Sequence, residues 1–153
     1  MWTGEGWLYL AVVLDMGTRR AVGWSLRETV EADLVAAALD MALGARAVHP
    51  GLICHSDRGS QYGSQAVNGL IERYRLTGSM SRKGDCWDNA VVESFFASFK
   101  TELVADARWE TRSEARSAVV AWIEGWYNRE RLHSTLGYMS PVEFERQIAT
   151  QTT

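Results

Sequence analysis

Leu52-Ile53-Cys54-His55-Ser56-Asp57-Arg58-Gly59 is the stretch on which the fold turns. A short apolar run follows Pro50-Gly51 and ends in an aspartate with glycine two residues on. It reads as a buried strand carrying a carboxylate at its C-terminal tip, where α/β folds usually place function. Upstream, Trp7 to Val13 and Arg20 to Leu26 are rich in β-formers, and Asp15-Met16-Gly17-Thr18 supplies the turn of a β-hairpin. Residues 31–46 carry a helical pattern, with Leu34, Ala38, Met41, Val35, Leu39 and Ala42 inward, Thr29 as its cap, and Gly44 then Pro50-Gly51 closing it.

Downstream, Ser64 opens a helix whose inner side is Val67, Leu70, Ile71 and Tyr74. Leu76 to Met80 reads as a short edge-like strand and Ser81 to Cys86 as a polar loop. A helix from Asp88 to Val104 carries Val92, Phe96, Phe99 and Leu103 as its apolar stripe. The capping box Thr111-Arg112-Ser113-Glu114 starts another helix, which buries Val119, Trp122, Ile123 and Trp126. Ser140-Pro141-Val142-Glu143 begins a last short helix. The order β-β-α-β-α-β-α-α predicts an α/β fold, a mixed sheet with helices on its faces.

The 153 residues suit one domain with one real core. No apolar run approaches the ~20 residues that cross a bilayer. The N-terminus lacks the basic and apolar regions of a signal peptide, so the expected address is cytoplasmic, with no membrane partner. Cys54 and Cys86 lack the closely spaced partners of a zinc site and read as small hydrophobes or idle thiols. A net charge of -3 argues against a stand-alone DNA binder. It leaves room for a catalytic centre, which needs carboxylates to hold metal ions.

Asp57 and Glu93 are the pair that matters, with 35 residues between them. Glu93 shares a helix face with Asn89, four residues before, and Lys100, seven after, because seven residues make nearly two turns. Transfer at a phosphodiester needs an activated oxygen nucleophile and a stabilised leaving oxyanion. Two Mg²⁺ ions about 4 Å apart, bridged by carboxylates, meet both needs. On residue type and spacing alone, a turn aspartate and a solvated helix glutamate stay open beside this reading.

Five ordered blocks carry a resemblance. They are Gly6-Trp7-Leu8-Tyr9-Leu10-Ala11-Val12-Val13-Leu14-Asp15, Arg19-Arg20-Ala21-Val22-Gly23-Trp24, His55-Ser56-Asp57-Arg58-Gly59-Ser60-Gln61-Tyr62, Trp87-Asp88-Asn89-Ala90-Val91-Val92-Glu93-Ser94-Phe95-Phe96, and the tail from Trp126 to Pro141. Together they resemble the integrase core of bacterial insertion-sequence transposases, nearest to the OrfB type. The resemblance implies a ribonuclease-H-like fold and a polynucleotidyl transferase with a three-carboxylate site for Mg²⁺ or Mn²⁺, two ions in all. It maps the second acid onto Asp57, the third onto Glu93 and the helix lysine onto Lys100. It further implies DNA as partner, both element ends and target, with Lys100, Asn89 and Arg58 as contacts. A homo-oligomer in the synaptic complex and an OrfA-type helix-turn-helix partner or fusion are implied as well.

The chain departs from the pattern in two places. Arg131-Leu132 stands where Arg-Pro is usual. The first acid belongs to a strand that would end about where Met1 begins. The expectation is thus an integrase core over 1–153, incomplete at its N-terminus, without its central first strand, and with its C-terminal helices starting from about 111. Such a chain would be inactive alone, and the alternative is a fragment that only associates with protein or DNA. An unrelated ribonuclease-H-like nuclease is disfavoured by the tail and by the 35-residue spacing.

Among smaller features, Asp15 reads as a turn cap and His55 as packing. His133 reads as either a DNA contact or a helix-end cap. Trp122, Trp126 and Tyr127 read as core. Arg19, Arg20, Arg58, Arg82 and Lys83 are candidate phosphate contacts, with solvated charge as the default for each alone.

Overall fold

The computed structural model describes residues 1–56, 64–80 and 90–151. The expected hairpin is present as β3 (Tyr9–Leu14) and β4 (Ala21–Arg27), antiparallel, with a register shift between Val13 and Leu14. It is preceded by a two-residue ladder absent from the sequence reading, β1 (Trp2–Thr3) against β2 (Gly6–Trp7). The run from Trp7 to Val13 is therefore not one strand. It breaks at Leu8, which is fully buried and exchanges backbone hydrogen bonds of 2.8 Å with Met1 in both directions. The tight turn places Gly6 at φ +122°, where glycine is the residue of low cost.

Alternation along β3–β4 puts side chains into two cores. Leu10, Val12 and Leu14 of β3, with Trp24 and Leu26 of β4, belong to the core shared with the C-terminal helices. Tyr9, Ala11 and Val13 belong to the core on the other face. That second core is built by α1 (Ala32–Gly44) and α2 (Gln65–Arg73), with β5 (Ile53–Ser56) and β6 (Thr77–Met80) paired in parallel beside them. Gly23 lets α1 approach: a Cβ there would lie 2.2 Å from the Ala38 carbonyl oxygen. Ser25 Oγ donates to Leu34 O at 2.7 Å, a second tie between strand and helix.

Two details of α1 differ from expectation. Glu31, not Thr29, is its N-cap, and no side chain caps it. Thr29 lies too far ahead of Ala32 to reach the first turn. Met41 is 39% exposed because contact through Gly23 and Ala38 centres the buried arc on Leu34, Val35, Leu39, Ala42 and Leu43. Ser64 caps α2 as expected, accepting from Val67 N–H at 3.2 Å.

Two helices cover the other face of the hairpin. The first, α3 (Ala90–Phe99), continues as a π-helical turn over Lys100–Val104. The second, α4 (Arg112–Val120), continues as a π-helical turn over Ala121–Tyr127. Phe95 is the buried centre of this layer, with ring centroids 4.8 Å from Tyr127 and 5.6 Å from Trp122. The stripe expected on Val92, Phe96 and Leu103 is thus rotated by one residue, and those three are half-buried.

A π turn explains the other misplacement. It closes i to i+5, as in Asn128 N–H to Ile123 O at 3.0 Å, so the buried row steps from Trp122 to Tyr127. Trp126, expected in the core, is 44% exposed. Thr111 Oγ1 caps α4 by accepting from Glu114 N–H at 3.1 Å, while the Glu114 carboxylate accepts from Glu110 N–H. A 3-10 turn (Ser134–Leu136) and α5 (Pro141–Gln151) complete the chain, with Ser140 Oγ accepting from Glu143 N–H.

Candidate catalytic face

Glu93 lies in the first turn of α3, where the positive end of the helix dipole favours a carboxylate. Phe95, Ser98 and Phe99 turn inward, so Ala90, Glu93, Ala97 and Lys100, spaced by three and four, are the exposed row. The helix stays in α geometry up to Phe99, so the seven-residue step keeps Glu93 and Lys100 within about 20° of one face. Neither forms an ion pair among the described residues, whereas Asp15, Glu102 and Glu145 are all held by arginines. An exposed carboxylate free of arginine is a hard oxygen donor of the kind divalent cations take. The last residue of β5 is Ser56, directly before Asp57 in sequence. Asp57, Arg58 and Asn89 lie outside the described residues, as do Arg82, Lys83 and Cys86.

Asp15 is a turn cap. Its Oδ1 accepts from Gly17 and Thr18 N–H at 2.9 and 3.0 Å, and its Oδ2 takes Arg46 at 2.9 Å. Burial pushes its carboxyl up, but the two N–H groups and Arg46 outweigh that and hold it below the ordinary value. Glu145 of α5 is likewise pushed up by burial and brought down, net, by Arg20, Arg46 and Thr18. Arg20, a candidate phosphate contact from sequence, is therefore committed to Glu145 at 2.8 Å. This cluster pins the hairpin turn to α5 and to the residues after α1. Its ion-paired partners are 31 and more residues apart in sequence, and no local pattern announces it.

His133 caps no helix end with its ring. The ring packs edge-on against Tyr127 at 5.3 Å, and its Nε2 is buried without a partner among the described residues. Burial, then Arg131 and Arg19, lower its pKa, while burial pushes the Tyr127 phenol up to about 12. Asn128 is 2% exposed and grips Ala21 twice, accepting from its N–H at 2.9 Å and donating to its carbonyl at 3.0 Å. The sequence reading missed this residue. A polar side chain directly after an apolar run was the one available hint. The Cys54 thiol is half-buried and pushed up by burial, as suits an idle thiol.

Two overlapping segments of the chain, residues 1–86 and 74–141, match the integrase core domain. The chain belongs to the integrase core domain family. Asp57 falls in the first matched segment of this integrase core, and Glu93 and Lys100 fall in the second. The core is 44% identical over 94% of its length to the transposase for insertion sequence element IS904 of Lactococcus lactis, covering 57% of that protein. It is 47% identical over 95% of its length to transposase InsF for insertion sequence IS3fB of Escherichia coli, covering 50% of that protein. The chain spans about half the length of the curated relatives it matches. Among solved structures, the catalytic core domain of BIV integrase superposes with a TM-score of 0.67 at 20% identity, over 94% of this chain and 90% of that one. A chain of the simian T-cell lymphotropic virus intasome superposes with the same TM-score at 13% identity, over 88% of this chain and 47% of that one. The fold of this integrase core is ribonuclease-H-like. Among the described residues, no helix is long and apolar enough to cross a membrane.

Proposed function

We propose that this integrase core is the catalytic core of a DNA transposase, cleaving strands at element ends and joining them to target DNA. The observation that carries the reading is the match along 94–95% of the chain to insertion-sequence transposases at 44–47% identity. Asp57 and Glu93 hold divalent cations, Mg²⁺ or Mn²⁺, in a two-ion arrangement. The ions, when bound, activate the attacking oxygen and stabilise the departing one. Glu93 suits that role through its exposed carboxylate on the outward row of α3. Asp57 suits it through its position one residue past β5.

Lys100, on the same helix row as Glu93, meets a DNA phosphate beside the acids, with Asn89 and Arg58 as further contacts. Contacts of this kind position the strand without reading its sequence. A net charge of -3 repels DNA at long range, so the affinity for element ends rests on a helix-turn-helix of the OrfA type, as partner or fusion. Two ends are brought together by a homo-oligomer of the core.

The test separates chemistry from binding. Asp57→Asn and Glu93→Gln are assayed in the full-length transposase, with its helix-turn-helix partner or fusion, on a duplex carrying the terminal sequence of the element that flanks the gene. Each loses strand cleavage in Mg²⁺ by several kcal/mol of transition-state stabilisation, on the order of a thousandfold, and keeps its gel shift. Loss of binding in step with cleavage contradicts the assignment.

A further inference from the structure

One carboxylate ties the two π-helical turns together. Glu102, in the turn that opens at Lys100, accepts from Arg131 Nε at 2.9 Å through Oε1 and at 3.3 Å through Oε2. It also accepts from Trp126 Nε1 at 3.3 Å. Trp126 belongs to the π turn of α4. Arg131 follows it closely and is itself anchored, since its backbone N–H donates to Trp126 O at 2.8 Å. Glu102 is thus held by two donors that are fixed to each other.

The turn it anchors is the one that sets Lys100. At Lys100 the ladder changes from α to π spacing, with Ala105 N–H donating to Lys100 O at 2.9 Å. Thr101 Oγ1 donates back to Ala97 O at 2.9 Å and Ser98 O at 3.3 Å, a bonding pattern that bends helices. A helix that widens at Lys100 leaves that side chain more than one direction in which to point. The Glu102 clamp, two residues on, removes that freedom. π turns cost regularity and are frequent at functional sites, which fits a role beyond packing.

We infer that Glu102 is a positioning residue, which through Arg131 and Trp126 fixes the turn opening at Lys100 and so aims its ammonium along the Glu93 row. The inference rests on the proposed role of Lys100 at the phosphate. It explains why an exposed tryptophan and an arginine, whose usual individual value on a surface is small, converge on one acid.

A double-mutant cycle in the full-length transposase that carries this core, with its helix-turn-helix partner or fusion, tests it, with cleavage of the element-end duplex in Mg²⁺ as readout. Glu102→Ala lowers the cleavage rate at saturating DNA by about tenfold or more, in line with the cost of slight misplacement, and leaves half-saturation nearly unchanged. Glu102→Gln, which keeps its acceptor oxygen, recovers most of the rate. In a Lys100→Ala background, Glu102→Ala costs nothing further. Where Glu102→Ala does not fold, as judged by its melting transition, Trp126→Phe and Arg131→Gln open the clamp from the other side and give the same cycle. An equal loss in both backgrounds overturns the positioning role while leaving the proposed function standing. Full activity of Lys100→Ala overturns the underlying reading of Lys100 itself.

Discussion

His133 and Glu145 respond to acid at different pH, and the signs follow from their surroundings. Burial lowers the His133 pKa in the fold below its ordinary 6.5, so the unfolded chain binds the proton more readily. Its contribution is therefore fully present at neutral pH and declines as pH falls below about 6.5. The Glu145 carboxyl is lowered from 4.5 by Arg20, Arg46 and Thr18 against the pull of burial, so its contribution holds above 4.5 and is lost as pH falls through the lower folded value. Thermal melting from pH 8 to pH 3 should show two separate declines. His133→Phe keeps a ring against Tyr127 and removes the buried, unpartnered Nε2, so it abolishes the upper decline without lowering the neutral melting temperature. Glu145→Gln shrinks the lower decline, and Asp15, also held below its ordinary value, supplies part of what remains. A His133→Phe profile superimposable on the wild type would show that the buried imidazole does not govern the upper step.

At the scale of elements, two tight joints hold the helices on the hairpin. Asn128 joins the end of the α4 π turn to β4 through both polar groups of Ala21. Asn128→Ala leaves a buried N–H and a buried carbonyl unpaired, which costs about 2–6 kcal/mol of stability by urea denaturation, at about 1–3 kcal/mol for each group. Asn128→Asp restores one acceptor only and should fall between. Gly23 joins α1 to β4, and Gly23→Ala drives a methyl into the Ala38 carbonyl, so it should yield insoluble or unfolded protein where Gly44→Ala does not. These elements differ in how far their sequence announced them. Ser64, Thr111 and Ser140 bond locally and were readable as caps, and alternation of Leu10, Val12 and Leu14 against Ala11 and Val13 made β3 plain. Trp126 was misassigned because a strict 3.6-residue period cannot foresee a π turn, which depends on what packs against the helix. The Leu8 break, the Asn128 joint and the Glu102 clamp all rest on partners distant in sequence or on turn geometry, and hydrophobic pattern does not encode either.

For the molecule as a whole, the β3–β4 hairpin is the middle layer between two cores. Asp57 follows β5 in sequence, and Glu93 and Lys100 ride on α3, whose inner side joins the core shared with the C-terminal helices. The pair is legible through the resemblance of five sequence blocks, since the 35-residue spacing alone leaves a turn aspartate and a solvated glutamate open; the structure places Glu93 on the exposed row of α3. Loss of the aromatic layer should disturb this arrangement from a distance: Phe95→Ala is expected to cost roughly 3–5 kcal/mol, since its ring meets Tyr127, Trp122 and Phe99. Whether Asp57 and Glu93 are ligands of one metal site is settled by anomalous diffraction from crystals of the full-length protein with element-end DNA and Mn²⁺. The account predicts an anomalous peak at ordinary metal–oxygen distance, about 2.0–2.3 Å, from a carboxylate oxygen of each residue. A peak bound to Asp15, or carboxylates of Asp57 and Glu93 on opposite faces of the sheet with no shared ion, would contradict it.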